Sequence, residues 1–165
     1  MTSTDIFLLQ LSMSMLVYGL LAIWIGRPWL SRLSTTDAIF WLTVPHAFRH
    51  IGLVFEVPGI VSPDLPAGFS GAAAYGDLTA AGLAIATLVA LKLEWAIKIP
   101  LAWTLTIVGM VDLGYALSHM EVIPLLQAAW YIPTFIVPLL LVTHVMTAAT
   151  LITHLREGTR PVAAE

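Results

Sequence analysis

Apolar residues fill five long stretches of this chain with no strand-like alternation: roughly Ile6–Gly26, Asp37–Pro58, Ala72–Leu91, Ala96–Leu117 and Ala128–His154. Runs of that length predict helices that cross a bilayer, because lipid offers backbone groups no partner outside the helix. The second stretch is the most polar. Its segment VPHAFRHIGLVFEVP, residues 44–58, sets two histidines, an arginine and a glutamate among Val, Leu, Ile and Phe.

The cations between the stretches argue that the second one also crosses. Arg27 and Arg32 follow the first stretch, Lys92 and Lys98 the third, and Arg156 and Arg160 the fifth. The N-terminus and the segments 59–71 and 118–127 contain no Lys or Arg. Five crossings put every loop cation on one side, the cytoplasmic one by the positive-inside rule. Trp29, Trp41, Trp95, Trp130 and Tyr131 fall near the expected ends, where interfacial aromatics sit. The expected architecture is an all-α integral membrane protein: one bundle of five transmembrane helices, N-terminus out and C-terminus in, forming a single domain over residues 1–165. A bacterial-type inner membrane is the expected location.

Composition agrees. Of 165 residues, 59% are hydrophobic and only 10% charged, against about 25% charged in soluble domains. The net charge of −3 and the lack of a basic run give no reason to expect nucleic acid. With no cysteine, disulfides, iron–sulfur clusters and thiolate metal sites are excluded. The opening MTSTDIFLLQL lacks the basic start of a cleaved signal peptide. GIVSPDLPAGFSG, residues 59–71, reads as an outer loop and a candidate cap. Gly76, Ala80 and Ala84, four apart, would let the third helix pack closely and sit centrally.

Candidate chemistry lies within the spans. On a helix of 3.6 residues per turn, His46, Arg49, His50 and Glu56 share about a third of the circumference, and a polar stripe is costly against lipid, so it should face the interior. Pro45 precedes it and is expected to kink the helix. At 1.5 Å per residue, His46, Arg49 and His50 lie within about 4 Å of the midplane, and Glu56 near the outer interface. Asp77 and Asp112 fall about 7 Å outward and His144 about 5 Å inward. An ionised Arg49 at that depth needs a carboxylate, and Asp77 and Asp112 are the two on offer; Tyr18, Tyr75 and Tyr115 are candidates to extend the network. Gln10 is expected to hydrogen-bond between helices.

These residues predict an internal pocket, with His46, Arg49, His50, Asp77, Asp112, His144 and Glu56 as ligand-binding or proton-handling groups. The pocket would bind, and transport or convert, a small hydrophobic or amphipathic molecule with proton coupling. One alternative is a b-type haem or other metal held by His46, His50 and His144, with Asp77 or Asp112 as carboxylate donors. A second is a non-catalytic accessory or assembly subunit. In size and span number the chain is similar to the translocator-protein and emopamil-binding families; the likeness is architectural and assigns no site residue.

Overall fold

The computed structural model describes residues 1–158. Arg160, one of the loop cations used above, lies outside them. The described residues are helical, with no strand beyond an isolated bridge between Pro58 and Val61. Five helices are long and apolar enough to cross a membrane: α1 (Ser3–Leu30), α2 (Thr35–Glu56), α3 (Ala67–Lys92), α4 (Lys98–Ser118) and α5 (Gln127–Arg156).

Several boundaries extend past the apolar runs because local caps carry them outward. Thr2 and Asp5 form a reciprocal capping box that starts α1 at Ser3. Ser34 accepts the Asp37 backbone N–H and starts α2 at Thr35. Pro66, with its fixed φ, precedes α3, which begins five residues ahead of the expected Ala72.

The largest departure from a regular α-helix lies inside α2. Thr35–Thr43 is α-helical, but Val44–Glu56 is a 3₁₀ helix thirteen residues long, where such runs seldom exceed four. Its buried residues are His46, Arg49, Gly52 and Phe55, spaced every third position. Only a helix of three residues per turn keeps that row on one face. An α-helix would rotate it by about 60° at each step and turn Phe55 to the side opposite His46. At about 2.0 Å per residue this segment alone spans about 26 Å.

Helix α3 is the centre of the bundle, packed against the 3₁₀ part of α2 on one side and α4 on the other. Ala80 and Ala84 are fully buried there, against Leu105 of α4 and Ala47 of α2. Helix α5 packs on α1, α4 and the first half of α2. Helix α1 is peripheral: only 6% of its most apolar window is buried, and Leu9, Leu16, Ile23, Trp24 and Ile25 are exposed. Gln10 holds it to α5 by accepting the Trp130 indole N–H at 2.6 Å.

The segments on either side of α3 and α4 are joined at one end of the bundle. The Ser62 N–H donates to the Leu125 carbonyl at 2.9 Å, and the Ala128 N–H to that of Ile60 at 3.0 Å. Beneath these bonds Phe7, Phe55, Leu65, Phe69, Val122, Ile123 and Leu126 form an apolar cluster. The 59–71 segment thus closes this end together with 119–126.

Candidate functional site

Arg49 projects from the 3₁₀ segment into the space between α3 and α4. Its Nε donates to Asp77 Oδ1 at 2.7 Å, and its Nη2 donates to Asp112 Oδ2. The guanidinium side chain is completely buried, whereas Asp77 and Asp112 keep 12% and 19% of their side chains open. The positive charge is therefore sealed behind the two carboxylates.

Three glycines make room for this arrangement. A Cβ on Gly52 would fall 2.5 Å from Asp77 Cβ and 2.6 Å from its Cγ. A Cβ on Gly76 would fall 2.8 Å from Asp112 Cγ. One on Gly109 would fall 2.6 Å from His144 Cε1 and 2.9 Å from Arg49 Nη1. Each is closer than carbon normally tolerates, so each glycine is a seat for a polar side chain from the next helix. Gly76 belongs to the small-residue stripe, and its role is to admit Asp112.

Behind the ion pair, His46 and His144 stack with ring centroids 3.8 Å apart and planes at 34°. His46 Nε2 hydrogen-bonds with the Thr143 hydroxyl at 3.0 Å. Thr143 also lies 2.9 Å from the Leu139 carbonyl of its own helix. His46 Nδ1, Arg49 Nη1 and both nitrogens of His144 are buried without a hydrogen-bond partner. Buried polar groups without partners are costly, so their retention here calls for an explanation beyond packing.

The structure thus gathers His46, Arg49, Asp77, Asp112 and His144. It does not bring His50 or Glu56 to them. Both are exposed, and the 3₁₀ register explains why: at three residues per turn they lie about 120° around the helix from His46 and Arg49. His50 instead bonds locally to the Ala47 carbonyl at 3.0 Å. The tyrosines stay outside as well, with Tyr75 and Tyr115 exposed and Tyr18 packed edge-on against Phe135.

A chamber of about 50 Å³ opens on the carboxylate side of the ion pair. That is room for a few waters or the end of a slim chain. Asp77 and Asp112 line it, and Phe7, Phe55, Phe69, Leu113, Ile123 and Leu126 are among its apolar walls. His119 also lines it, packed against Phe69 at 5.5 Å and Tyr115 at 4.4 Å between ring centroids. His119 follows the end of α4, and Phe7 and Phe55 lie inside apolar stretches of the sequence. A phenylalanine on a chamber wall carries no polar signal, so the pattern could not single these out.

The residues do not fit a haem held between His46 and His144. Axial imidazoles stand on opposite sides of a porphyrin with their nitrogens pointing at the iron; these rings lie face to face in contact, and no macrocycle fits between them. His50 is on another face of α2. Among the described residues, no group of three or more His, Asp or Glu is arranged to hold a metal ion.

The chain belongs to the family described as Domain of unknown function (DUF8737), which it matches over residues 6–152. No curated protein and no solved structure matches it.

Proposed function

We propose that this DUF8737 protein is an integral membrane protein of five spans, N-terminus out and C-terminus in, that binds a small amphipathic molecule in the chamber above Asp77 and Asp112. Membrane insertion is supported by the apolar side chains left exposed over most of α1 and along the outer faces of the other helices. The orientation is supported by the cations at and just beyond the C-terminal ends of α1, α3 and α5, which the positive-inside rule assigns to the cytoplasmic side; a bacterial-type inner membrane is the location we infer. The observation that carries the binding reading is the chamber itself. An ion pair that only locked the helices together would need no apolar cavity lined by its own carboxylates. A mostly apolar cavity with a few convergent polar groups is the usual form of a small-molecule site. Any proton coupling would fall to the carboxylates and to the stacked histidines behind them, because the Arg49 guanidinium stays protonated and cannot relay a proton.

Two sets of single-cysteine variants test this reading, since the chain has no cysteine of its own. In intact cells, a membrane-impermeant thiol reagent should label Asp64→Cys and leave Ser31→Cys unlabelled until the membrane is opened. Labelling of both from the outside would overturn the orientation. A small methanethiosulfonate reagent added from outside should modify Ala116→Cys on the chamber wall and spare Ala80→Cys, which is fully buried elsewhere on α3. An inert Ala116→Cys would mean that the chamber is not reachable, and the binding reading would fall.

A further inference from the structure

We infer that the molecule held in the chamber is a slim amphipathic cation, such as a primary alkylammonium, with its charged end on Asp77 and Asp112 and its chain among the phenylalanines. This rests on the reading of the chamber as a binding site and adds the chemical class of the ligand.

The sign of the charge follows from what the chamber can reach. The cluster contains one guanidinium and two carboxylates, so with neutral histidines and both carboxylates ionised its formal charge is −1. The positive member has no exposed side-chain surface, while both negative members do. A group entering the chamber therefore meets carboxylate and not guanidinium. An anion would face two like charges with no cation within reach. A neutral molecule would leave the surplus charge in place, in surroundings where an unbalanced charge is expensive.

Hydrogen bonding points the same way. Each carboxylate gives one oxygen to Arg49, Oδ1 from Asp77 and Oδ2 from Asp112. The other oxygen of each, Asp77 Oδ2 and Asp112 Oδ1, lies beside Gly52 or Gly76 and accepts no hydrogen bond in the structure, although both residues line the chamber. Carboxylate oxygens that lack donors are matched by a group that is all donor, and a primary ammonium has three N–H bonds and no acceptor. His119, on the same lining, contacts the Tyr115 carbonyl through Nδ1 at 2.9 Å. A carbonyl only accepts, so in the neutral ring Nδ1 carries the proton and Nε2 is an acceptor. The walls complete the match. Phe7, Phe55 and Phe69 supply apolar aromatic wall for the chain. The volume of about 50 Å³ admits the end of a narrow chain and no fused ring system.

The test uses the full chain in lipid nanodiscs and three isotopically labelled six-carbon probes: n-hexylammonium, n-hexanol and hexanoate. Equilibrium dialysis against empty nanodiscs separates specific binding from partition into lipid. The wild-type protein should bind hexylammonium saturably, at least tenfold more tightly than hexanol, and hexanoate least. D77N and D112N each keep one ion pair to Arg49 and the side-chain shape, and each should weaken hexylammonium at least tenfold while leaving hexanol within about threefold. Equal affinity for hexylammonium and hexanol, or full affinity in both folded variants, would overturn the cation assignment while leaving the chamber as a site. If neither variant folds, the hexylammonium-to-hexanol ratio of the wild type decides alone. Binding of none of the three probes would instead remove the binding reading itself.

Discussion

Replacing Arg49 by leucine should be the most damaging single change in this protein. The substitution keeps much of the side-chain volume but leaves Asp77 and Asp112 facing one another with nothing to balance them. Removing one partner of a buried ion pair typically costs about 3–5 kcal/mol, and here two carboxylates depend on a single guanidinium. Thermal unfolding in detergent should show a strongly destabilised protein or a loss of monodisperse material. The triple variant Arg49→Leu, Asp77→Leu, Asp112→Leu should recover most of that loss, because the penalty comes from uncompensated charge rather than from lost packing. Arg49→Leu melting within about 1 kcal/mol of the wild type would show that the pairing has no energetic weight, since even an exposed pair contributes up to that much.

The second large effect is expected from a single methyl group. Gly52→Ala places a Cβ 2.5 Å from Asp77 Cβ, an atom next to the backbone that cannot swing aside. Either α2 and α3 separate or the Asp77 carboxylate leaves Arg49. Overpacking of this kind costs about 1–3 kcal/mol, and displacement of the carboxylate would add to it. Gly82→Ala is the control. It lies exposed on α3, the helix that carries Asp77, with nothing within 4 Å of its would-be Cβ, and alanine is favoured over glycine in helices by up to about 1 kcal/mol. Gly82→Ala should therefore melt at or above the wild-type temperature and Gly52→Ala well below it. Equal behaviour of the two would contradict the tight approach of α2 to α3.

These glycines also show where the sequence stops being legible. The five helices can be read from it because each apolar run is long enough to cross lipid, and nothing shorter-ranged competes with that signal. The partners of Arg49 can be read for a different reason: the apolar stretches hold one arginine, and Asp77 and Asp112 are the acids at a similar level. The register of α2 is another matter. Applied to residues 44–56, a period of 3.6 groups His50 and Glu56 with Arg49; the actual period of three groups Gly52 and Phe55 with it instead. Hydrophobic patterning separates the two poorly, because the polar residues satisfy either period over a single turn. The spacing 46, 49, 52, 55 is visible only once Gly52 and Phe55 are counted with the polar residues as one inward row.

The chamber is less legible still. Its walls come from Phe7 on α1, Phe55 on α2, Phe69 on α3, Leu113 on α4 and the 122–126 segment. Each is unremarkable in its own stretch. What unites them is the joining of the 59–71 and 119–126 segments by backbone hydrogen bonds, a long-range pairing that no local pattern announces. The glycine seats are hidden in the same way, because Gly52, Gly76 and Gly109 differ from Gly82 only in what a neighbouring helix places against them.

A cationic amphiphile seated in the chamber with its head on Asp77 and Asp112 would shield the walls around it. The most direct test of that occupancy is the rate at which a neutral thiol reagent modifies Ala116→Cys in nanodiscs while hexylammonium is titrated in. Predicted is a saturable slowing that hexanoate at equal concentration does not produce and that D112N largely abolishes. A rate indifferent to hexylammonium across the whole titration would contradict it.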